Sequence, residues 1–295
     1  MDLTGDGCAL AAAVTGGLVP ESVRVRAGAL DLHCLAWGRA GDPTAILVHG
    51  NGAHAHWWDP LIAWLVPGWR VLAMDLRGHG ESAWPEPPAY RVEDLGTDLD
   101  AVVLQCAPGP MALVGHSMGG RLALWWAAHH ADVVRGLAIL DSRLEPIRPE
   151  LAAQHRGHAS EHRTGRTYPT YDDAVAAFRL VPDEPGIPDH VRTDLAHHAV
   201  VERRPGAWEF RFDRAVLSLE GDGARDLLTL AGRLRCPIEL MAGDASWVVD
   251  EEQRAVMTAA MPHASWRVFA GSHHFLLSQG PAVGAALRAF LDGLA

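Results

Sequence analysis

Gly115, His116, Ser117, Met118 and Gly119 form a Gly-x-Ser-x-Gly element between the apolar run Met111–Gly115 and an apolar stretch of helical character running from about Met118 to His130. A serine hydroxyl is a weak nucleophile until a base takes its proton. It becomes useful when a sharp strand-to-helix turn thrusts it out of the backbone, and such a turn needs glycines where a Cβ would strike neighbouring chain. A helix that starts just after the serine also favours developing negative charge there. The chemistry is acyl transfer: attack on a carbonyl carbon while backbone donors hold the oxyanion. It requires an imidazole, which can take and return a proton near neutrality, and a carboxylate to hold that imidazole in the productive tautomer.

The elements that would position these residues alternate in type. Ser22–Arg26, Leu30–Trp37, Ala45–His49 and Val71–Asp75 read as strands. From Val92 to Cys106 the apolar residues Leu95, Leu99, Val102 and Cys106 recur at helical spacing and give one buried stripe. A strand ending at Leu140 follows the serine helix, and the alternation resumes with strand Ile238–Met241, a helix from Glu251, strand Trp266–Phe269 and a helix Pro281–Leu294. Strands alternating with helices predict an α/β fold with a doubly wound, mostly parallel sheet. Asp250, three residues before Gln253, fits a helix N-cap.

From 142 to 231 the pattern changes to short helical pieces rich in His, Arg and Pro, Tyr171–Val181 being the clearest, with a hairpin expected around Trp208, Phe210 and Phe212 after the turn Arg204-Pro205-Gly206. The expected organisation is a core of residues 1–141 and 232–295 with a cap inserted at 142–231.

These motifs together resemble the α/β-hydrolase family, from about Ser22 onward. His49, Gly50, Asn51, Gly52 is similar to the family's oxyanion loop, and the resemblance implies that the backbone N–H groups of Asn51 and Met118 form the oxyanion hole. Asp75, Leu76, Arg77, Gly78, His79, Gly80, Glu81, Ser82 looks like a turn whose role in the family is structural. In that family the base commonly stands seven residues before a Pro opening the last helix; Pro281 then selects His274, with His273 as the alternative. The acid departs from the common pattern, because Ser246 occupies its usual place after Gly243. A hydroxyl carries no charge. Asp141, at a strand's carboxyl end and at a position some branches use, is therefore expected as the acid, with Asp244 as the alternative. The implied function is a serine hydrolase acting on a small, largely apolar carboxylic ester or related acyl compound. A carbon–carbon bond hydrolase, a perhydrolase and a non-catalytic ligand receptor on the same fold are the alternatives.

The bulk composition excludes other chemistries. A formal net charge of −11 disfavours nucleic acid and anionic membranes as partners, leaving a small-molecule substrate. All 25 basic residues are Arg, so a Lys Schiff base or P-loop Lys is ruled out. Cys8, Cys34, Cys106 and Cys236 form no CxxC pair, and neither metal nor cofactor is expected. His155, His158 and His162 fall three and four apart but form no HExxH pattern, so a solvated helix face is expected there. Trp57, Trp58, Trp125, Trp126 and Trp247 stand near the site elements, as pocket lining or core. An acidic start and a short apolar run from Cys8 to Val14 predict a cytoplasmic protein.

Overall fold

A computed structural model of the chain describes residues 6–145, 166–218 and 226–294. Eight strands form one sheet in the order β1-β2-β4-β3-β5-β6-β9-β10: β1 Glu21–Ala27, β2 Leu30–Trp37, β3 Thr44–Val48, β4 Arg70–Asp75, β5 Met111–His116, β6 Val134–Leu140, β9 Ile238–Gly243 and β10 Ser265–Phe269. Strand β2 runs antiparallel to β1 and β4, and the strands from β4 to β10 are parallel to one another.

The central strands are apolar on both sides because helices cover both faces. Ile46, Val48, Leu72, Met74, Leu113 and Ile139 point to one core, beneath helices Val92–Cys106, Met118–His129 and Glu251–Ala260. Their chain neighbours Ala45, Leu47, Ala73, Val114 and Leu140 point to the other, beneath helices Asp59–Leu65 and Gly280–Asp292. This period of two, sustained over strands with no polar face, is what a doubly wound sheet demands. The parallel strands all deliver their carboxyl ends to the same edge, the edge at which ligands bind in such sheets.

Three elements differ from the sequence expectation or add to it. The N-terminus contains a helix, Asp6–Thr15, packed against helices Asp59–Leu65 and Asp189–His198. The helix expected over Tyr171–Val181 stops at Ala176, because the chain then turns to bury Leu180 with Ile187, Val191 and Leu195. Leu227–Ala231, read from sequence as part of the insertion, packs on helix Met118–His129 and buries Leu227 and Ala231 in the core.

Between β6 and β9 the described residues add nothing to the main sheet. They form helices Tyr171–Ala176 and Asp189–His198 and a hairpin of β7 Val200–Arg204 and β8 Ala207–Phe210, closed by Pro205-Gly206 with Gly206 at φ 71°. The Gly80 N–H donates to Arg211 O and the Asp213 N–H to Gly78 O, which ties this segment to the turn after β4. Among the described residues no helix is long and apolar enough to cross a membrane.

Candidate active site

Strand β5 ends at His116, and Ser117 turns the chain into helix Met118–His129 at φ 54°, ψ −120°. That conformation is costly for a residue with a Cβ, and only Ser117 and Asp141 among the described non-glycine residues have positive φ. The strain is held by neighbours: the Ser117 N–H donates to Leu140 O at 2.9 Å, and Gly119 packs so tightly that a Cβ there would lie 2.1 Å from Val48 O. The hydroxyl is left partly exposed at the carboxyl edge of the sheet.

Ser117 Oγ lies 2.9 Å from His273 Nε2, and His273 Nδ1 lies 2.7 Å from Asp141 Oδ2. Asp141 is fully buried and His273 is 7% exposed. The second Asp141 oxygen accepts the Gly243 N–H at 3.2 Å, while Oδ2 also accepts the Ser246 hydroxyl at 2.5 Å. The residue in the family's usual acid position thus donates to the Asp141 carboxylate.

The expectation that His274 is the base is corrected by this geometry. His274 Nδ1 faces Pro182 O at 2.9 Å, and its ring stands edge-on to Trp57, 5.1 Å between centroids. Buried there beside His273 and His116, it is pushed well below the usual imidazole pKa, first by loss of water and then by its neighbours' charge. A short helical turn, Phe275–Ser278, separates the pair from the last helix, so counting back from Pro281 lands one residue late. Asp244 lies on the surface and accepts the Gly271 N–H at 3.0 Å, bracing the loop that carries His273.

Backbone donors stand near the hydroxyl. The amide of Met118 opens a helix and has no carbonyl one turn earlier to bond. Gly50 approaches so closely that a Cβ on it would lie 3.0 Å from Ser117 Cβ, which brings Asn51 beside the elbow. The loop is fixed from behind: His49 Nε2 accepts the Leu76 N–H at 3.0 Å, and His79 Nε2 accepts the Gly52 N–H at 3.1 Å. Arg77 forks onto Asp98 at 2.5 and 2.7 Å, anchoring the same turn.

Of the five tryptophans considered, Trp58 and Trp126 are core, Trp125 and Trp247 are half-buried against it, and Trp57 is the one stacked near His116, 6.3 Å between centroids. Among the described residues no group of three or more His, Cys, Asp or Glu side chains is arranged to hold a metal ion. His155, His158 and His162 lie outside the described residues.

Sequence reasoning missed two groups. Glu184, fully buried, accepts from Ser272 and Ser278 on the loop that carries His273; at separations of 88 and 94 residues no local pattern could reveal it. His54, His56, Asp59, Asp194 and His198 meet where the segment 189–198 lies against the core, with the His56 and His198 rings stacked at 3.4 Å and His56 Nδ1 2.9 Å from Asp59 Oδ2. Burial, reinforced by Asp59, lifts Asp194 to about 7, and burial lowers His54 to about 3 and His198 to about 2.

Comparison with known proteins agrees with this architecture. The profile of the alpha/beta hydrolase fold matches residues 43–281. Esterase Rv0045c of Mycobacterium tuberculosis is 33% identical over 251 residues, 84% of this chain and 80% of its own length. Its crystal structure superposes with a TM-score of 0.75 at 29% identity, covering 98% of this chain and 99% of that one. A pimeloyl-[acyl-carrier protein] methyl ester esterase of Neisseria meningitidis is 28% identical over 265 residues, 84% of this chain and 93% of its own. The crystal structure of an E-2-(acetamidomethylene)succinate hydrolase shares the fold, with a TM-score of 0.81 at 23% identity over 93% of this chain and all of that one. With the profile spanning most of the chain and an esterase relative at one-third identity, this protein belongs to the α/β-hydrolase fold family.

Proposed function

We propose that the protein is a serine-dependent carboxylic ester hydrolase acting on small, largely apolar acyl substrates. The observation that carries the reading is the unbroken relay from buried Asp141 through His273 to Ser117, at 2.7 and 2.9 Å. In this reading Ser117 attacks the carbonyl carbon as its proton passes to His273 Nε2. The backbone amides of Asn51 and Met118 hold the oxyanion, and each such donor contributes about 3 kcal/mol when water is excluded. His273 then protonates the leaving alcohol, and water, deprotonated by the same imidazole, releases the acid from the acyl enzyme. Asp141 keeps His273 in the tautomer with its proton on Nδ1 and stabilises the imidazolium that forms.

Residues 166–218 act in this reading as a cap over the carboxyl edge of the sheet. Trp57, buried beside His116 and His274, supplies apolar surface next to the hydroxyl. Two relatives whose names specify ester hydrolysis, one of them of a methyl ester, support the substrate class.

The test is a panel of p-nitrophenyl esters of increasing chain length, with fluorophosphonate labelling of the same preparation. Hydrolysis together with stoichiometric labelling, both lost in Ser117→Ala, is the expected result. A folded protein that neither hydrolyses any ester nor labels is a ligand receptor on this fold, and the enzymatic reading fails.

A further inference from the structure

The loop that carries His273 is not held by the core alone. Glu184, from the inserted segment, places its carboxylate against it: Oε2 accepts the Ser272 N–H at 2.8 Å and the Ser272 hydroxyl at 2.5 Å, and Oε1 accepts the Ser278 hydroxyl at 2.7 Å. Pro182 O accepts from His274 Nδ1 at 2.9 Å, two residues before Glu184. Gly271 lies at φ 125°, and a Cβ on it would come within 2.4 Å of Glu184 Oε1, so the turn closes onto the carboxylate only because it has none.

Glu184 is fully buried, and among the described residues no cation lies within ion-pair distance of its carboxylate; Arg192 donates only to its backbone oxygen, at 3.3 Å. Removing a carboxylate from water without a counter-charge costs several kcal/mol, offset here by hydrogen bonds that are stronger for being charge-assisted. An ordinary loop brace does not need that arrangement. Three donors converge on one side chain, and only a carboxylate offers two oxygens that accept without donating. All three donors come from Ser272 and Ser278, which bracket His273.

We propose that Glu184 is a positioning residue for the base: it fixes Ser272 and thereby aims the His273 imidazole between Asp141 and Ser117, so that the inserted segment is part of the machinery for proton transfer and not only a wall of the pocket. This rests on the assignment of Ser117 as nucleophile and His273 as base. A proton-transfer geometry is lost with errors of well under 1 Å, so loosening this clamp lowers turnover more than substrate binding.

The experiment compares wild type with Glu184→Gln, which keeps shape and one acceptor oxygen but turns the other position into a donor. Turnover and KM are measured with p-nitrophenyl butyrate, alongside the fluorophosphonate labelling rate and the circular dichroism spectrum. The expected result is a kcat lowered about 30-fold or more with KM within about threefold, labelling slowed in parallel, and a native-like spectrum. A folded variant with kcat within threefold of wild type overturns the proposal, as does one in which KM alone rises. If Glu184→Gln does not fold, the double variant Ser272→Ala with Ser278→Ala removes two of the three donors and leaves the carboxylate in place. It should lose about tenfold or more in kcat, and an unchanged kcat overturns the proposal. Wild type that neither turns over nor labels would instead defeat the assignment of Ser117, a distinct outcome.

Discussion

The Ser246 hydroxyl lies 2.5 Å from Asp141 Oδ2, the same oxygen that faces His273 Nδ1 at 2.7 Å. Ser246 Oγ also receives the N–H groups of Val248 and Val249, so its own proton is directed at the carboxylate. Strands β6 and β9 are neighbours in the sheet, and Asp141 and Ser246 leave them at the same edge. Either strand can therefore carry the carboxylate to the same imidazole.

Asp141→Asn should lower kcat by about a thousandfold or more, because the amide holds the imidazole in the wrong tautomer. Asp244→Asn, which touches only the Gly271 amide, should cost less than about tenfold. Placing a carboxylate in the loop after the neighbouring strand, as Ser246→Asp in the Asp141→Asn background, should recover at least about tenfold over Asp141→Asn alone. Steady-state rates on one p-nitrophenyl ester rank all three, and equal losses at Asp141 and Asp244 would contradict the geometry.

The two adjacent histidines should separate by orders of magnitude. His273→Gln removes the proposed base and should lose about a thousandfold or more in kcat. His274→Gln keeps an N–H donor for Pro182 O and should retain activity within about tenfold, with a modest loss in melting temperature. The reverse ranking would return the base to His274.

Gly119→Ala should prevent a stable elbow. The new methyl would collide with Val48 O and His49 O at 2.1 and 2.5 Å, both backbone atoms that cannot rotate away. A destabilisation of about 3 kcal/mol or more is expected, measured by urea denaturation. A variant as stable as wild type would show that the elbow is looser than its geometry indicates.

Stability should fall between pH 7 and pH 5. His49, His54, His79, His116, His198 and His274 all have lowered pKa values because burial disfavours the imidazolium. The unfolded chain protonates each near pH 6.5, so below that pH it binds more protons than the folded state, and each group costs up to ~1.4 kcal/mol per pH unit. Groups raised in the folded state act oppositely. Burial raises Asp59, Asp98 and Asp194, and Asp59 outweighs burial at His56, so these favour folding as the pH falls. The imidazoles outnumber them, and unfolding should take up about two protons or more near pH 6. Urea midpoints followed across this range check the slope, and a stability that rises on acidification would contradict it.

The sequence by itself pointed to Ser117 as the candidate nucleophile, because a Gly-x-Ser-x-Gly element between an apolar strand and an apolar helix is a local structure: its strain, its glycines and its partly exposed serine all arise within a few residues of Ser117. It also indicated Asp141, since a carboxylate at a strand's carboxyl end emerges at a known edge of the sheet. A mostly parallel sheet covered on both faces follows likewise from strands alternating with helices, while the order of the strands is set only by their pairing in the fold. Only the tertiary structure decided between His273 and His274. Adjacent loop residues differ in where their rings point, and here that direction is set by Glu184, Pro182 and Asp244, which reach Ser272, His274 and Gly271 from distant parts of the chain. The same holds for Ser246, whose part as donor to the carboxylate exists only because β6 and β9 lie side by side. Local backbone chemistry is written in neighbouring residues; the aim of a side chain is written in the contacts that fold across the sheet.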